Sequence, residues 1–164
     1  MNRSSQIIDI IEKNPGIKFR EIMRETGMKN GVLSYHTRKL EKIGVVKVER
    51  SPRQTRFYPP GVTNKESVLI RRLRQETPRQ ILLSLLDAEL AFNKIVEKVK
   101  KSPSTVSTYL SQLSEDEIVE FKIIELKKVY RIKNKGIVQS AINKYHPTLI
   151  ERSAESLADI FNSL

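Results

Sequence analysis

The chain repeats itself, and that limits its fold more than any other property it has. Displaced by 73 residues without a gap, Phe19 falls on Phe92, Ile22 on Ile95, Met23 on Val96, Leu33 on Val106 and Leu40 on Leu113. Val46 likewise falls on Val119, Val48 on Phe121 and Phe57 on Tyr130. One residue of slack ahead of Phe92 also brings Ile7, Ile8 and Ile11 onto Ile81, Leu82 and Leu85. Ser34 falls on Ser107 as well, but most shared positions are the ones expected to be buried, while the surface differs. Two copies of one fold that keep their interior and change their surface have this pattern.

The first copy reads as three helices and a hairpin. Ile7, Ile8, Ile10 and Ile11 line one side of a short helix that Asn14-Pro15-Gly16 ends. Phe19, Ile22 and Met23 face inward from a second helix, with Gly27 as its stop. Asn30 is placed to cap a third helix running to Gly44, with an inward stripe of Leu33, either His36 or Thr37, Leu40 and Ile43. β-prone alternation follows through Val46 and Val48, a polar tip and Phe57, until Pro59-Pro60 end it. In the second copy Thr77 caps and Pro78 opens the first helix, and Ser102-Pro103 do the same for the third. Its hairpin runs from Ile118 to Ile124, turns near Glu125–Lys127 and returns through Val129, Tyr130 and Ile132.

Helix, short helix, turn, helix and hairpin make a winged helix-turn-helix. The expected architecture is mainly α with small β-hairpin wings (α+β). Two tandem winged helix-turn-helix domains occupy residues 1–60 and 78–134. A connecting helix lies in 61–77 and a C-terminal helical tail in 135–164. The apolar stripe of that tail includes Leu149, Leu157 and Phe161. It leaves two options open, packing on its own domain or dimerisation with a second copy.

Charge narrows the function. Lys and Arg number 30 against 19 Asp and Glu, a net charge of +11, which points to a polyanion such as nucleic acid. Residues 1–77 hold 17 basic and 8 acidic side chains, a balance of +9, against 13 and 11 in the remainder. The polyanion is therefore expected mainly on the first copy. No apolar run approaches the roughly 20 residues that cross a bilayer, and the amino-terminal residues lack a secretory leader pattern. A cytoplasmic, nucleoid-associated protein with no membrane partner is the expectation. There is no cysteine, and His36 and His146 stand far apart without clustered carboxylates, so neither metal nor cofactor is expected. No phosphate-cradling glycine loop or nucleophile-and-base arrangement is present, and no enzyme is expected.

The segment from Gly31 to Val46 carries Ser34-Tyr35-His36, then Leu40, then Gly44-Val45-Val46 leading into the wing. It resembles the recognition helix of arsenic-repressor-like (ArsR) and multiple-antibiotic-resistance-type (MarR) regulators. Ser102 to Leu113 looks like the same element again. Taken together, from about residue 5 to about residue 133, the chain resembles the archaeal tandem winged helix-turn-helix transcription regulators. That resemblance implies a sequence-specific regulator of transcription bound to double-stranded DNA. Thr37 stands where those families usually carry leucine, and the cysteine ligands of their metal-sensing members are missing.

A helix lying in the major groove needs groups on its solvent face that reach bases and phosphates. In the first copy the candidates are Lys29, Asn30, Ser34, Tyr35, Arg38, Lys39 and Lys42. Arg38 is the expected base reader, because its fork can pair two acceptors on guanine. The lysines are expected on phosphates, which set position without reading sequence. Arg50, Arg53 and Arg56 belong to a wing suited to the minor groove, and Lys18 and Arg20 to the backbone. In the second copy Arg38, Lys39 and Lys42 become Ser111, Gln112 and Glu115. There Ser104, Thr105, Thr108, Lys127 and Lys128 remain for a weaker DNA contact, while Ile123, Ile124 and Leu126 favour a protein partner. Two rival readings stay open for the whole chain: a protein-binding adaptor of transcription or replication machinery, and a sequence-indifferent chromatin protein.

Overall fold

Short local signals decide where each helix begins and ends. The structure, a computed structural model, describes residues 2–145 and divides into two compact units, Met1–Ser67 and Val68–Leu164. In the first unit the Asn2 side chain accepts the Ser5 backbone N–H at 2.8 Å and opens α1 (Arg3–Lys13). Two residues of extended chain, β1 (Ile17–Lys18), lead into α2 (Phe19–Thr26). Gly27 closes α2 at φ 71°, a left-handed conformation that glycine adopts without steric penalty. Then come α3 (Asn30–Lys42), β2 (Lys47–Arg50) and β3 (Thr55–Tyr58). Ile7, Ile11, Ile17, Ile22, Leu33, Leu40, Val46 and Phe57 close one continuous core.

α4 (Asn64–Arg74) begins in the first unit and ends in the second. The second unit then follows the same plan through α5 (Glu76–Asp87), β4 (Leu90–Ala91), α6 (Phe92–Val99) and α7 (Pro103–Glu115) to β5 (Val119–Ile124) and β6 (Lys127–Ile132). Residues 135–145 are helical. Ser102 caps α7 by accepting the Thr105 N–H, with Pro103 at the first helical position, as the sequence implies. Each unit is a winged helix-turn-helix of α helices and small antiparallel strands. The one-residue slack in the repeat is a loop: three residues (14–16) separate α1 from β1, and two (88–89) separate α5 from β4.

Each wing has three strands rather than two. β1 pairs with β3 and β4 with β6, giving the orders β1-β3-β2 and β4-β6-β5. Ile17 lies opposite Phe57, which lies opposite Val48; Leu90, Tyr130 and Phe121 repeat this triple. A two-residue strand has no periodicity to betray it, so the hairpin reading was incomplete.

Several boundaries differ from the sequence reading. Lys29, extended at ψ 157°, is the N-cap residue of α3, and Asn30 is already helical. The Asn30 side chain accepts from the Ser34 hydroxyl instead of capping. Of the two inward candidates, Thr37 is buried and its hydroxyl donates to the Leu33 carbonyl at 2.9 Å, while His36 lies on the flank. Ile43, expected inside, is 64% exposed, because it is the C-cap and Gly44 at φ 81° turns the chain so that Val46 enters the core. Gln75 is the N-cap residue of α5, so Thr77 is a buried helical residue and Pro78 stands one turn in, where no N–H is required. The tail residues Leu149, Leu157 and Phe161 lie outside the described residues. Among the described residues, no helix is long and apolar enough to cross a membrane.

Candidate nucleic-acid interface

The spacing of the core residues decides what α3 shows to solvent. With Leu33, Thr37 and Leu40 buried, Gly31, Tyr35, Arg38 and Lys42 emerge together on the opposite side, and Ser34 is half-buried beside them. Lys29, Asn30 and Lys39 are exposed as well. Lys39 sets its ammonium 5.9 Å from the centre of the Tyr35 ring, and the Tyr35 and His36 rings meet edge to face. His36 Nδ1 lies 3.3 Å from the Ser4 hydroxyl of α1 and so helps seat the helix.

α3 contains a single carboxylate, Glu41, and it is occupied. Arg50 of β2 grips it through both terminal guanidinium nitrogens, Nη1 and Nη2 donating at 3.0 and 2.6 Å. The hydrogen bond from Arg50 holds the Glu41 carboxyl below the usual carboxylate range, against the opposing effect of burial and with help from the Arg50 charge, and Glu41 in turn raises the Arg50 guanidinium. This bidentate pair ties the wing to the helix. Arg50 is thus an exposed but engaged cation, not the free wing residue expected.

Arg56 requires a correction. It was assigned to the wing tip, but it lies in β3, opposite Lys18 and Glu49, and is only 4% exposed. Its Nη1 donates to the Gly16 carbonyl at 2.8 Å, and with the Gln54 amide turned, Gln54 accepts from it too. A guanidinium bound into the domain in this way cannot reach a groove. The tip proper is the Ser51–Gln54 turn, closed by the Ser51 N–H donating to the Gln54 carbonyl, with Arg53 exposed on it.

Sequence reasoning missed that the tip and the start of α2 enclose a concave site. Lys18, Phe19, Arg20, Arg53, Gln54 and Thr55 line a cleft of about 370 Å³, bringing three cations from two distant stretches together. The β1–β3 pairing makes it, and that pairing was invisible in the sequence.

The second unit presents a different surface on the same frame. Pro103, Ser104, Ser107, Thr108, Ser111 and Glu115 are the exposed residues of α7, without a cation among them. Thr108 donates to the Ser104 carbonyl, and Thr105 is engaged in the Ser102 cap. Arg72 of α4 donates to Asp116 at 2.6 Å and to Gln112 at 2.7 Å, pinning the flank of α7 that corresponds to Lys39 and Ile43 of α3. Lys127 and Lys128 are exposed, the latter lying 4.5 Å over the Phe121 ring. The described residues contain no group of three or more metal-ligating side chains.

Comparison with known proteins agrees with this frame. Residues 1–70 match a family model described as an N-terminal HTH domain, and residues 75–120 match the arsR family of bacterial regulatory proteins. The uncharacterized HTH-type transcriptional regulator MJ1398 of Methanocaldococcus jannaschii is 28% identical over 134 residues, 82% of this chain and 34% of that protein. The chain spans about a third of the length of this curated relative. Among solved structures, reduced HlyU from Vibrio cholerae aligns at 26% identity and a TM-score of 0.44, over 47% of this chain and 81% of its own. The homodimeric winged helix-turn-helix DNA-binding domain of Mb0332 from Mycobacterium bovis aligns at 19% and 0.39, over 60% and 93%. Both halves of the chain therefore carry helix-turn-helix domains, the second of them matched by a family of regulatory proteins.

Proposed function

For a chain with a helix-turn-helix domain in each half, we propose a transcription regulator that reads double-stranded DNA with its first unit. The carrying observation is the outward face of α3, where Ser34, Tyr35, Arg38 and Lys42 stand together and the helix's carboxylate is bound to Arg50. Arg38 pairs with a base edge in the major groove, and Tyr35 or Asn30 contacts a neighbouring base. Lys29, Ser34, Lys39 and Lys42 hold phosphates. Arg53 enters the adjacent minor groove, and the cleft it shares with Lys18 and Arg20 takes the backbone phosphates flanking that groove. Arg56 has no part in this. The second unit makes at most a weak DNA contact through Ser104, Thr105, Thr108, Lys127 and Lys128. A cytoplasmic, nucleoid-bound location follows from the reading.

Selection of bound sites from random DNA tests it. Enrichment of one motif, relaxed at one position by Arg38→Ala, is the expected result. Uniform retention of the pool would make the protein a sequence-indifferent chromatin component. No retention would leave the protein-binding adaptor.

A further inference from the structure

β5 is the edge of its sheet, six residues long, and among the described residues nothing pairs with its outer side. A long apolar edge is a template for another strand, and proteins ordinarily blunt it. The first unit does so. Its edge strand β2 has four residues, Lys47 reaches back to the Val62 carbonyl and Asn64, and Arg50 is tied to Glu41. The matching positions in β5 are Glu120 and Ile123, and neither device is present.

The side chains of β5 are also unfinished. Val119, Phe121 and Ile123 share the core face, but only Val119 is buried; Ile123 is 67% exposed. The two-residue turn Glu125-Leu126 has both φ values positive, at 49° and 66°, and holds Leu126 98% exposed. That conformation strains side-chain-bearing residues.

We propose that β5 pairs antiparallel with β5 of a second copy of this chain, Phe121 facing Phe121. Charge selects both occupant and register. With the two core faces on one side, pairing centred on Glu120 sets like carboxylates together, and pairing centred on Lys122 sets like ammoniums together. Centred on Phe121, Glu120 faces Lys122 of the second copy twice over, and Ile123 lies beside the second copy's Val119, at the end of the sheet that helices cover. The apolar residues that run past their own helices thereby gain the other copy's. Within one chain Glu120 and Lys122 make only exposed pairs, with Arg131 and Glu89, which re-form at little cost. This inference is independent of whether the first unit binds DNA.

Sedimentation equilibrium of the full chain tests it, using Glu120→Lys, Lys122→Glu and the double exchange. Each single reversal raises the dimer dissociation constant on the order of tenfold, and the exchange restores it. Because the chain has no cysteine, Phe121→Cys supplies one thiol and gives a disulfide-linked dimer on mild oxidation, whereas Ser107→Cys on α7 does not. A monomer at all concentrations overturns the proposal. So does a dimer indifferent to both reversals, or a loss that the exchange does not restore together with no cross-link through Phe121→Cys.

Discussion

α3 and α7 are one helix built twice. Each has 13 residues, follows an extended N-cap residue, and is closed by a positive φ two residues beyond its end, at Gly44 and Glu117. Each buries three side chains at matching places: Leu33, Thr37 and Leu40 in one, Val106, Leu110 and Leu113 in the other. Outside they part company. Where α3 shows Tyr35, Arg38 and Lys42, α7 shows Thr108, Ser111 and Glu115, and α4 reaches over its flank. The wings diverge likewise: one is laced to its helix by Glu41 and Arg50, while the other carries Ser114 and Ile123 there. A shared interior maintains the fold, and the surfaces are free to take different partners.

The largest test removes the contact that only the second unit has. Arg72→Ala leaves the Asp116 carboxylate, 16% exposed in its side chain, without its partner. A loss of roughly 2 kcal/mol from the second unit is expected in urea unfolding, because a half-buried carboxylate left without its hydrogen-bonded partner is costly. A loss below about 0.5 kcal/mol would mean that the clamp is decorative.

DNA binding comes next. Arg38→Ala should cost roughly 1–3 kcal/mol with relaxed base preference, and Lys42→Ala should flatten the salt dependence by about one unit. Ser111→Ala and Glu115→Ala, at the matching places, should leave affinity essentially unchanged in fluorescence anisotropy titrations. Equal losses in both units would show that the two helices share the DNA instead of dividing the work.

The backbone offers a smaller contrast. Gly27 closes α2 at φ 71°, and Lys100 closes α6 at φ 55°. No atom stands within 4 Å of a Cβ built at Gly27, so conformation alone sets the cost there. Gly27→Ala should destabilise by about 1 kcal/mol, and Lys100→Gly should stabilise by a few tenths, read from thermal unfolding. Destabilisation by both would show that the Lys100 side chain matters more than its φ.

The smallest effect is acid dependence. The folded-state value of the Glu41 carboxyl is depressed by Arg50, so its contribution is complete above the unfolded carboxylate value, about 4.3, and is lost as pH falls through the lower folded value. Arg50 is thereby released. Glu41→Gln should remove that part of the acid-unfolding profile and tighten DNA binding a few-fold by freeing Arg50 for phosphate. Unchanged DNA affinity would indicate that Arg50, once freed, does not reach a phosphate.

Much of this is legible in the sequence. Apolar spacing reveals α1, α2 and α3 because 3.6 residues per turn forces every third or fourth side chain inward. Ser102-Pro103 announces α7 because both residues suit an N-terminus that lacks hydrogen-bond partners. The exposed set on α3 follows from the same periodicity. β1 and β4 were not legible, since two residues are too few to show alternation. Ile43 was misread because it keeps the helical spacing one step past the place where the helix stops.

By itself, then, the amino-acid order determined the duplicated frame, the side of each helix that faces inward, and the concentration of positive charge in the first half. Those are properties of local period and composition. Tertiary structure alone decided that Arg56 is buried while Arg53 stays outside, that Lys18, Arg20 and Arg53 share a cleft, and that Arg72 reaches Asp116. In a strand, neighbouring side chains point to opposite faces, so a cation's fate depends on register with chain distant in sequence. No local pattern encodes that register.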